Sequence, residues 1–277
     1  MPLWYTDRKL PRTSSKIDRR WLPPQADRRD VVAGRLVDYA IVLDTAPSTE
    51  SRTALDRLLA DEPEPHRDTT ALHTRIMSVL RTLQQRVRDD PAQSSGTQPS
   101  INHSADQSLR SLLIAVSIET KTAARAEEEA QIQLAIWAAA QLQRLRGLVS
   151  SFAPAVAGPL PAGLAAGGDE ADALVAAART QRVRSACSAL LGRLTLPLLY
   201  VSHSRWTIYY AQPLPREGRG ALEDAHLCIF PSREIGKTDS VLDTLRLFKT
   251  LRVLKEWVQE DFAAWWDEFL STLQDEQ

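Results

Sequence analysis

Residues 111–121 read SLLIAVSIETK, a nearly continuous apolar run closed by Glu119, Thr120 and Lys121. A short run with charges only at its end predicts a strand buried on both faces, the kind that lies at the centre of a sheet covered by helices. Alternation along it puts Ala115, Ser117, Glu119 and Lys121 on one face, and Ile118 and Thr120 on the other. An acid and a lysine therefore point the same way from the C-terminal end of a central strand.

The neighbouring segments fit a mixed α/β order. Residues 31–44, VVAGRLVDYAIVLD, are rich in β-branched residues and Leu and predict a strand, with Leu36, Asp38, Ala40 and Val42 on one face. A cap at APST (46–49) predicts a helix from near Glu50. Residues 69–90 carry Leu72, Ile76, Val79, Leu80, Leu83 and Val87 at helical spacing, and 89–108 read as a polar loop. Residues 126–151 predict a long helix with Glu127–Glu129 in its first turn, where the helix dipole favours acids. Residues 153–169 are rich in Ala, Gly and Pro and read as a flexible linker, followed by a helix over about 170–194. LTLPLLYVSHSRWTIYYAQP (194–213) predicts two strands turning at His203–Ser204–Arg205, and LCIF (227–230) a short strand after a charged loop at 215–225. Residues 240–273 predict one or two C-terminal helices. Their Trp257, Phe262, Trp265, Trp266 and Phe269 read as core or an oligomer contact.

Composition narrows the function. The 277 residues hold 34 Lys and Arg against 35 Asp and Glu. That balance argues against a histone-like binder, which needs a large basic excess. The charge is uneven. Residues 1–35 carry nine basic and four acidic side chains, whereas 256–277 carry seven acids and no Lys or Arg. Residues 1–30 read as a basic irregular arm. Two cysteines exclude a disulfide framework and argue against a cysteine zinc site. With no secretory signal and no membrane-spanning run, a reducing compartment, cytoplasm or nucleus, is expected.

Asp38 is a lone acid inside an apolar strand, which is costly unless something compensates it. Asp38 and Glu119 on neighbouring strands, with the Thr120 carbonyl, form an oxygen set suited to Mg²⁺ or Mn²⁺. Lys121 would stabilise growing negative charge or orient a water. Gln133, in the first turns of the next helix, would hold that water or a phosphate, and Trp137, one turn on, would stack on a base. Asn102 and His103 read as a loop-ordering pair or as phosphate contacts, and Arg205 as a phosphate contact at a strand turn. Asp44 lies about 20 Å along the strand from Asp38, too far to share an ion.

The strings VDYAIVLD (37–44), SINH (100–103), IAVSIETK (114–121), AQIQLAIWAAAQLQRLR (130–146), LPLLYVSHSRWTIYYA (196–211), IGKTDSVLDTLRLFKTLRVLKEW (235–257) and WW (265–266) together resemble the fungal PD-(D/E)XK nuclease-like family, over about residues 17–270. The resemblance implies a restriction-endonuclease-like core in one domain over 31–277: a mixed central sheet flanked by helices, with a helical insertion at about 50–90 and a helical C-terminus. It implies that Asp38 is the metal-binding Asp and that Glu119 and Lys121 are the (D/E)xK pair. Gln133 and Trp137 are similar to the Gln-x-x-x-Tyr/Trp element of RecB-type nucleases. The chain departs from the pattern in having no Glu before Glu50. The acid expected on a first helix is either missing or replaced by Asp18, Asp27 or Asp30.

The expectation is a metal-dependent nuclease acting on nucleic acid. Two alternatives stand beside it: the same fold turned to a small organic substrate, as in a biosynthetic pathway, or a non-catalytic interaction protein with a vestigial site. No membrane partner is expected. The oligomeric state stays open, a homodimer among the options.

Overall fold

The computed structural model describes residues 15–22, 36–43, 45, 69–89, 98–104, 106–121, 127–153, 168–215 and 225–274. The expected helix near Glu50, the linker between 154 and 167, Asp27, Asp30 and Asp44 lie outside them, as does most of the basic arm.

Among the described residues the elements run β1 (Ser15–Lys16), β2 (Leu36–Val37), β3 (Tyr39–Leu43), α1 (Thr70–Asp89), β4 (Leu113–Lys121), α2 (Glu127–Phe152), α3 (Gly168–Arg193), β5 (Leu196–Ser202), β6 (Arg205–Pro215), β7 (Ala225–Lys237), α4 (Val241–Trp257) and α5 (Ala263–Gln274). A π-helical segment, Val258–Phe262, joins α4 to α5. Strands β3 to β7 form one sheet in sequence order. Only β4 and β5 are parallel; the other three pairings are antiparallel. A parallel neighbour cannot be reached by a tight turn, and helices α2 and α3 make that connection. The mixed sheet flanked by helices is the restriction-endonuclease-like α/β architecture expected from the sequence.

Every residue of β4 from Leu113 to Glu119 is buried. Alternate side chains point to opposite faces, so both faces of the sheet are covered, which is why this strand reads as an unbroken apolar run. Helix α2 lies against β4, and Gln141 of α2 donates to the Ile114 carbonyl at 2.9 Å. Helices α1 and α3 both pack on α5. Phe262, Trp266 and Phe269 are buried in the core, and Trp265 stacks on Phe269 at 5.0 Å. Gly236 lets α4 settle onto β7. It has φ 157°, and a Cβ there would stand 2.8 Å from the Cβ of Leu247.

Three details differ from the expectations. The 31–44 strand is interrupted: β2 and β3 are separated by a bend at Asp38. Strand β7 is thirteen residues long, not the four of LCIF, because pairing with β6 carries it through Pro231. An edge strand tolerates proline, since one row of its amides has no neighbour. Finally, residues 15–22 of the basic arm are tied to the body. β1 pairs with β2, Ile17 bridges Ser104, and Trp21 sits over Gly147 of α2, where a Cβ would lie 2.5 Å from the indole.

Candidate active site

The end of β4 builds the site. Glu119 and Lys121 share a face, and the Lys121 Nζ lies 2.8 Å from Glu119 Oε1. The Glu119 side chain is 2% exposed and that of Lys121 22%. Across the β3–β4 ladder Tyr39 stands opposite Ile118, so Asp38 arrives beside Glu119 and Thr120. There the chain bends, and the Asp38 carboxylate takes the place of the next ladder acceptor. Its Oδ2 accepts from the Thr120 backbone N–H at 2.9 Å and from the Thr120 hydroxyl at 2.5 Å. Asp38 itself is exposed. The two acids therefore differ: one is at the surface and hydrogen-bonded, the other is sealed beneath it.

The electrostatics follow from this arrangement. Burial pushes the Glu119 carboxyl above the usual carboxylate range; the Lys121 hydrogen bond and charge pull it back, while the Asp38 charge adds to the rise. For Lys121, burial works against the ammonium, but Glu119, Glu129 and Asp38 outweigh it and hold the amine above its ordinary value. Lys121 is thus protonated at neutral pH and acts as a cation and donor. Glu119 Oε2 is buried with no hydrogen-bond partner. An orphaned anionic oxygen is expensive, and native sites fill such positions.

The other expected site residues divide. On α2, Gln133 has a buried Oε1 without a partner. Trp137, one turn on, is 1% exposed, and its ring meets His103 edge-on at 4.4 Å between centroids. Stacking on a base needs an open ring face, so the structure corrects that reading: Trp137 lies inside the core. His103 is fully buried with both ring nitrogens unpartnered. Burial and the Arg144 charge push its pKa down to about 3, so at neutral pH it is uncharged and away from any phosphate. Asn102 is buried and spent on its own loop: it donates to the carbonyls of Leu109 and Leu112 and accepts from the Ser104 N–H at 2.8 Å. Asp18, a substitute considered for the missing acid, is engaged by Arg20, with contacts of 2.5 to 3.1 Å, at the SINH loop.

Arg205 stands at the same end of the sheet as Lys121. In cross-strand register Lys121 faces Ser202, Ser202 faces Arg205, and Arg205 faces Lys237. Glu234 holds Arg205 at 3.0 Å and Lys237 at 3.6 Å. The sequence reading missed Lys237, because only the register of four strands places it in this row. It also missed Glu129, which the first turn of α2 brings within electrostatic reach of Lys121. In sequence both resemble ordinary surface charges.

Among the described residues, no three His, Cys, Asp or Glu side chains gather into a metal cage. The site offers two carboxylates, one with an unsatisfied buried oxygen, and a strand backbone between them. These are hard oxygen donors, and they fit Mg²⁺ or Mn²⁺, which commonly bind through one or two carboxylates and keep several waters. No helix among the described residues is long and apolar enough to cross a membrane.

A family model described as the PD-(D/E)XK nuclease superfamily matches residues 5–263. No curated protein and no solved structure matches the chain.

Proposed function

Because the chain belongs to the PD-(D/E)XK nuclease superfamily, we propose that it hydrolyses phosphodiester bonds in nucleic acid at the Asp38–Glu119–Lys121 site. The observation that carries this reading is the buried Glu119 Oε2 without a partner, on a carboxylate whose Oε1 lies 2.8 Å from the Lys121 ammonium and which feels the Asp38 charge. Asp38, Glu119 and the Thr120 carbonyl would hold Mg²⁺ or Mn²⁺. When bound, that cation supplies Lewis-acid stabilisation of the negative charge that grows on the phosphoryl oxygens.

The chain's own residues do the rest. Lys121 stays protonated, so it serves as a hydrogen-bond donor to a phosphoryl oxygen or to the attacking water, not as a general base. The orphaned Oε1 of Gln133 accepts a hydrogen bond from that water and orients it. Arg205 and Lys237, in register with Lys121 and both paired with Glu234, receive the flanking phosphates.

The test is cleavage of labelled single- and double-stranded DNA and RNA with and without Mg²⁺ or Mn²⁺. The expected result is metal-dependent cleavage that falls at least about a hundredfold in Glu119→Gln and Lys121→Met, the scale of losing one preorganised electrostatic group. Undiminished cleavage in those variants overturns the assignment. A chain that binds the cation and leaves every nucleic acid intact points to a small organic substrate; one that binds neither has a vestigial site.

A further inference from the structure

The first turns of α2 carry two polar pairs. Glu129 and Gln133, four residues apart, share one side of the helix. Glu127 and Gln131, also four apart, lie about 160° round the axis from them. The first pair belongs to the site: the Glu129 charge acts on Lys121, and Gln133 carries the buried Oε1 without a partner. The second pair is tied to strand β6. The Tyr209 hydroxyl donates to Glu127 Oε1 at 2.9 Å and accepts from Gln131 Nε2 at 2.9 Å. Gln131 Nε2 also reaches Glu127 Oε1 at 3.4 Å, which closes a triangle of three polar groups. Tyr209 comes from the sheet beneath. It stands opposite Leu198, and Leu198 opposite Ser117, so it projects from the same face as Ser117 and Glu119. It is 4% exposed, whereas Tyr210, turned to the other face, is 40% exposed.

Given the nuclease reading of the Asp38–Glu119–Lys121 site, on which this inference rests, we propose that Tyr209 is a positioning residue for it. By clamping Glu127 and Gln131 it fixes the roll of the first turns of α2, and so aims Glu129 and Gln133. Three observations carry this. First, the sheet has little else to grip at this end of the helix. Between Glu127 and Gln133 only Ala130 is buried, and a methyl group offers little resistance to rotation. The larger buried side chains begin at Leu134 and Trp137, and the bond from Gln141 to the Ile114 carbonyl lies further on. Second, the clamp holds the side of the helix turned away from Glu129 and Gln133. It therefore acts through the helix and not on the reacting atoms. Third, the geometry is sensitive. A side chain ends about 6 Å from the helix axis, so a roll of about 10° moves it by about 1 Å. A misplacement of about 1 Å in a catalytic array can cost about a hundredfold in rate. A phenol suits the task because one oxygen both donates and accepts. Phenylalanine would keep the packing and lose both bonds.

The test is kcat and KM for cleavage of labelled single- and double-stranded DNA and RNA with Mg²⁺ or Mn²⁺, in the native chain, Tyr209→Phe, Glu127→Ala and the double variant. Tyr209→Phe leaves the ring in place and Glu127 is exposed, so each single variant should keep the native circular dichroism. Each is expected to lower kcat about tenfold with KM within about twofold. The double variant should fall no further than either single one, because the two groups act as one clamp. Glu127→Gln, which keeps an acceptor oxygen, should recover most of what Glu127→Ala loses. A lower Tm with kcat unchanged makes Tyr209 a residue of stability alone and overturns the proposal. So do losses in the two single variants that simply add. A native chain that cuts no nucleic acid with either cation defeats the nuclease reading, and this role with it. A native chain that cuts, loses activity in Glu119→Gln and keeps it in Tyr209→Phe overturns this role alone.

Discussion

Replacing Lys121 with methionine isolates the central feature of the site. The substitution removes an ammonium 2.8 Å from Glu119 Oε1 and leaves a hydrophobic side chain of similar length. The carboxyl is 2% exposed, and its other oxygen has no partner, so the charge is stranded. Removing one member of a buried pair costs about 3–5 kcal/mol. Lys121 is 22% exposed, so water already screens part of the attraction, and a loss of about 2–3 kcal/mol near neutral pH is expected. For a chain of this size that lowers Tm by roughly 5–10 °C. The pH dependence gives the sign. Burial and the Asp38 charge already raise the Glu119 carboxyl, and without Lys121 only the smaller pull of the Asp38 backbone hydrogen bond remains against them. The folded variant then binds a proton more readily than the unfolded chain. Its deficit shrinks as pH falls through the raised carboxyl value and grows as pH rises through it. Thermal unfolding followed by circular dichroism, near pH 7 and near pH 5, reads both effects. Lys121→Met combined with Glu119→Gln removes the stranded charge and should recover most of the loss. Equal melting of native and Lys121→Met chains at both pH values would refute the reasoning, as would a double variant no better than the single one.

Three further outcomes follow from the same geometry. His103, with a folded pKa near 3 against an ordinary 6.5, must stay neutral to remain folded. Its contribution is complete above pH 6.5 and is lost as pH falls towards 3, at up to about 1.4 kcal/mol per pH unit, or about 2 kcal/mol by pH 5. His103→Leu should therefore flatten the stability–pH slope between those limits by close to one proton, whatever its absolute stability; an unchanged slope removes His103 from the acid response. Gly147→Ala is helix-favouring by about 1 kcal/mol on propensity alone, yet its Cβ would meet the Trp21 indole at 2.5 Å. It should destabilise by about 1–3 kcal/mol and speed hydrogen exchange at the Asp18 amide, which donates to the His103 carbonyl. A stabilised variant would contradict that packing. Mg²⁺ or Mn²⁺ should raise the Tm of the native chain but not of Asp38→Asn or Glu119→Gln, read by thermal shift with and without chelator. In Glu119→Gln the metal-free Tm should hold or rise, because a carboxyl whose pKa is raised by burial costs stability above that pKa.

The elements visible in sequence are those whose pattern is local. The 3.6-residue period announces α1 and the acid-led start announces α2, both to within a residue. The turn at His203–Ser204 announces the β5–β6 hairpin, where His203 takes φ 54°. The pairing of Glu119 with Lys121 follows from strand alternation alone. The bend at Asp38 is not local. Its carboxylate is drawn to the amide and hydroxyl of Thr120, 82 residues away, which nothing in VDYAIVLD records. Trp137 misleads for the same reason: a helical aromatic near an acid reads as a base platform until the SINH loop closes over it with His103.

Chemistry and architecture thus separate by range. Residue types and short spacings are enough to put one acid within a strand and a second acid with a lysine at the end of another in an α/β sheet, because alternation and periodicity act over a few residues. Which carboxylate is buried and which is exposed, why Glu119 has an oxygen without a partner, and how Lys121, Arg205 and Lys237 come into one row depend on contacts between segments far apart in the chain. Burial and cross-strand register are properties of the packed sheet, and they set the charge state on which the site's chemistry rests.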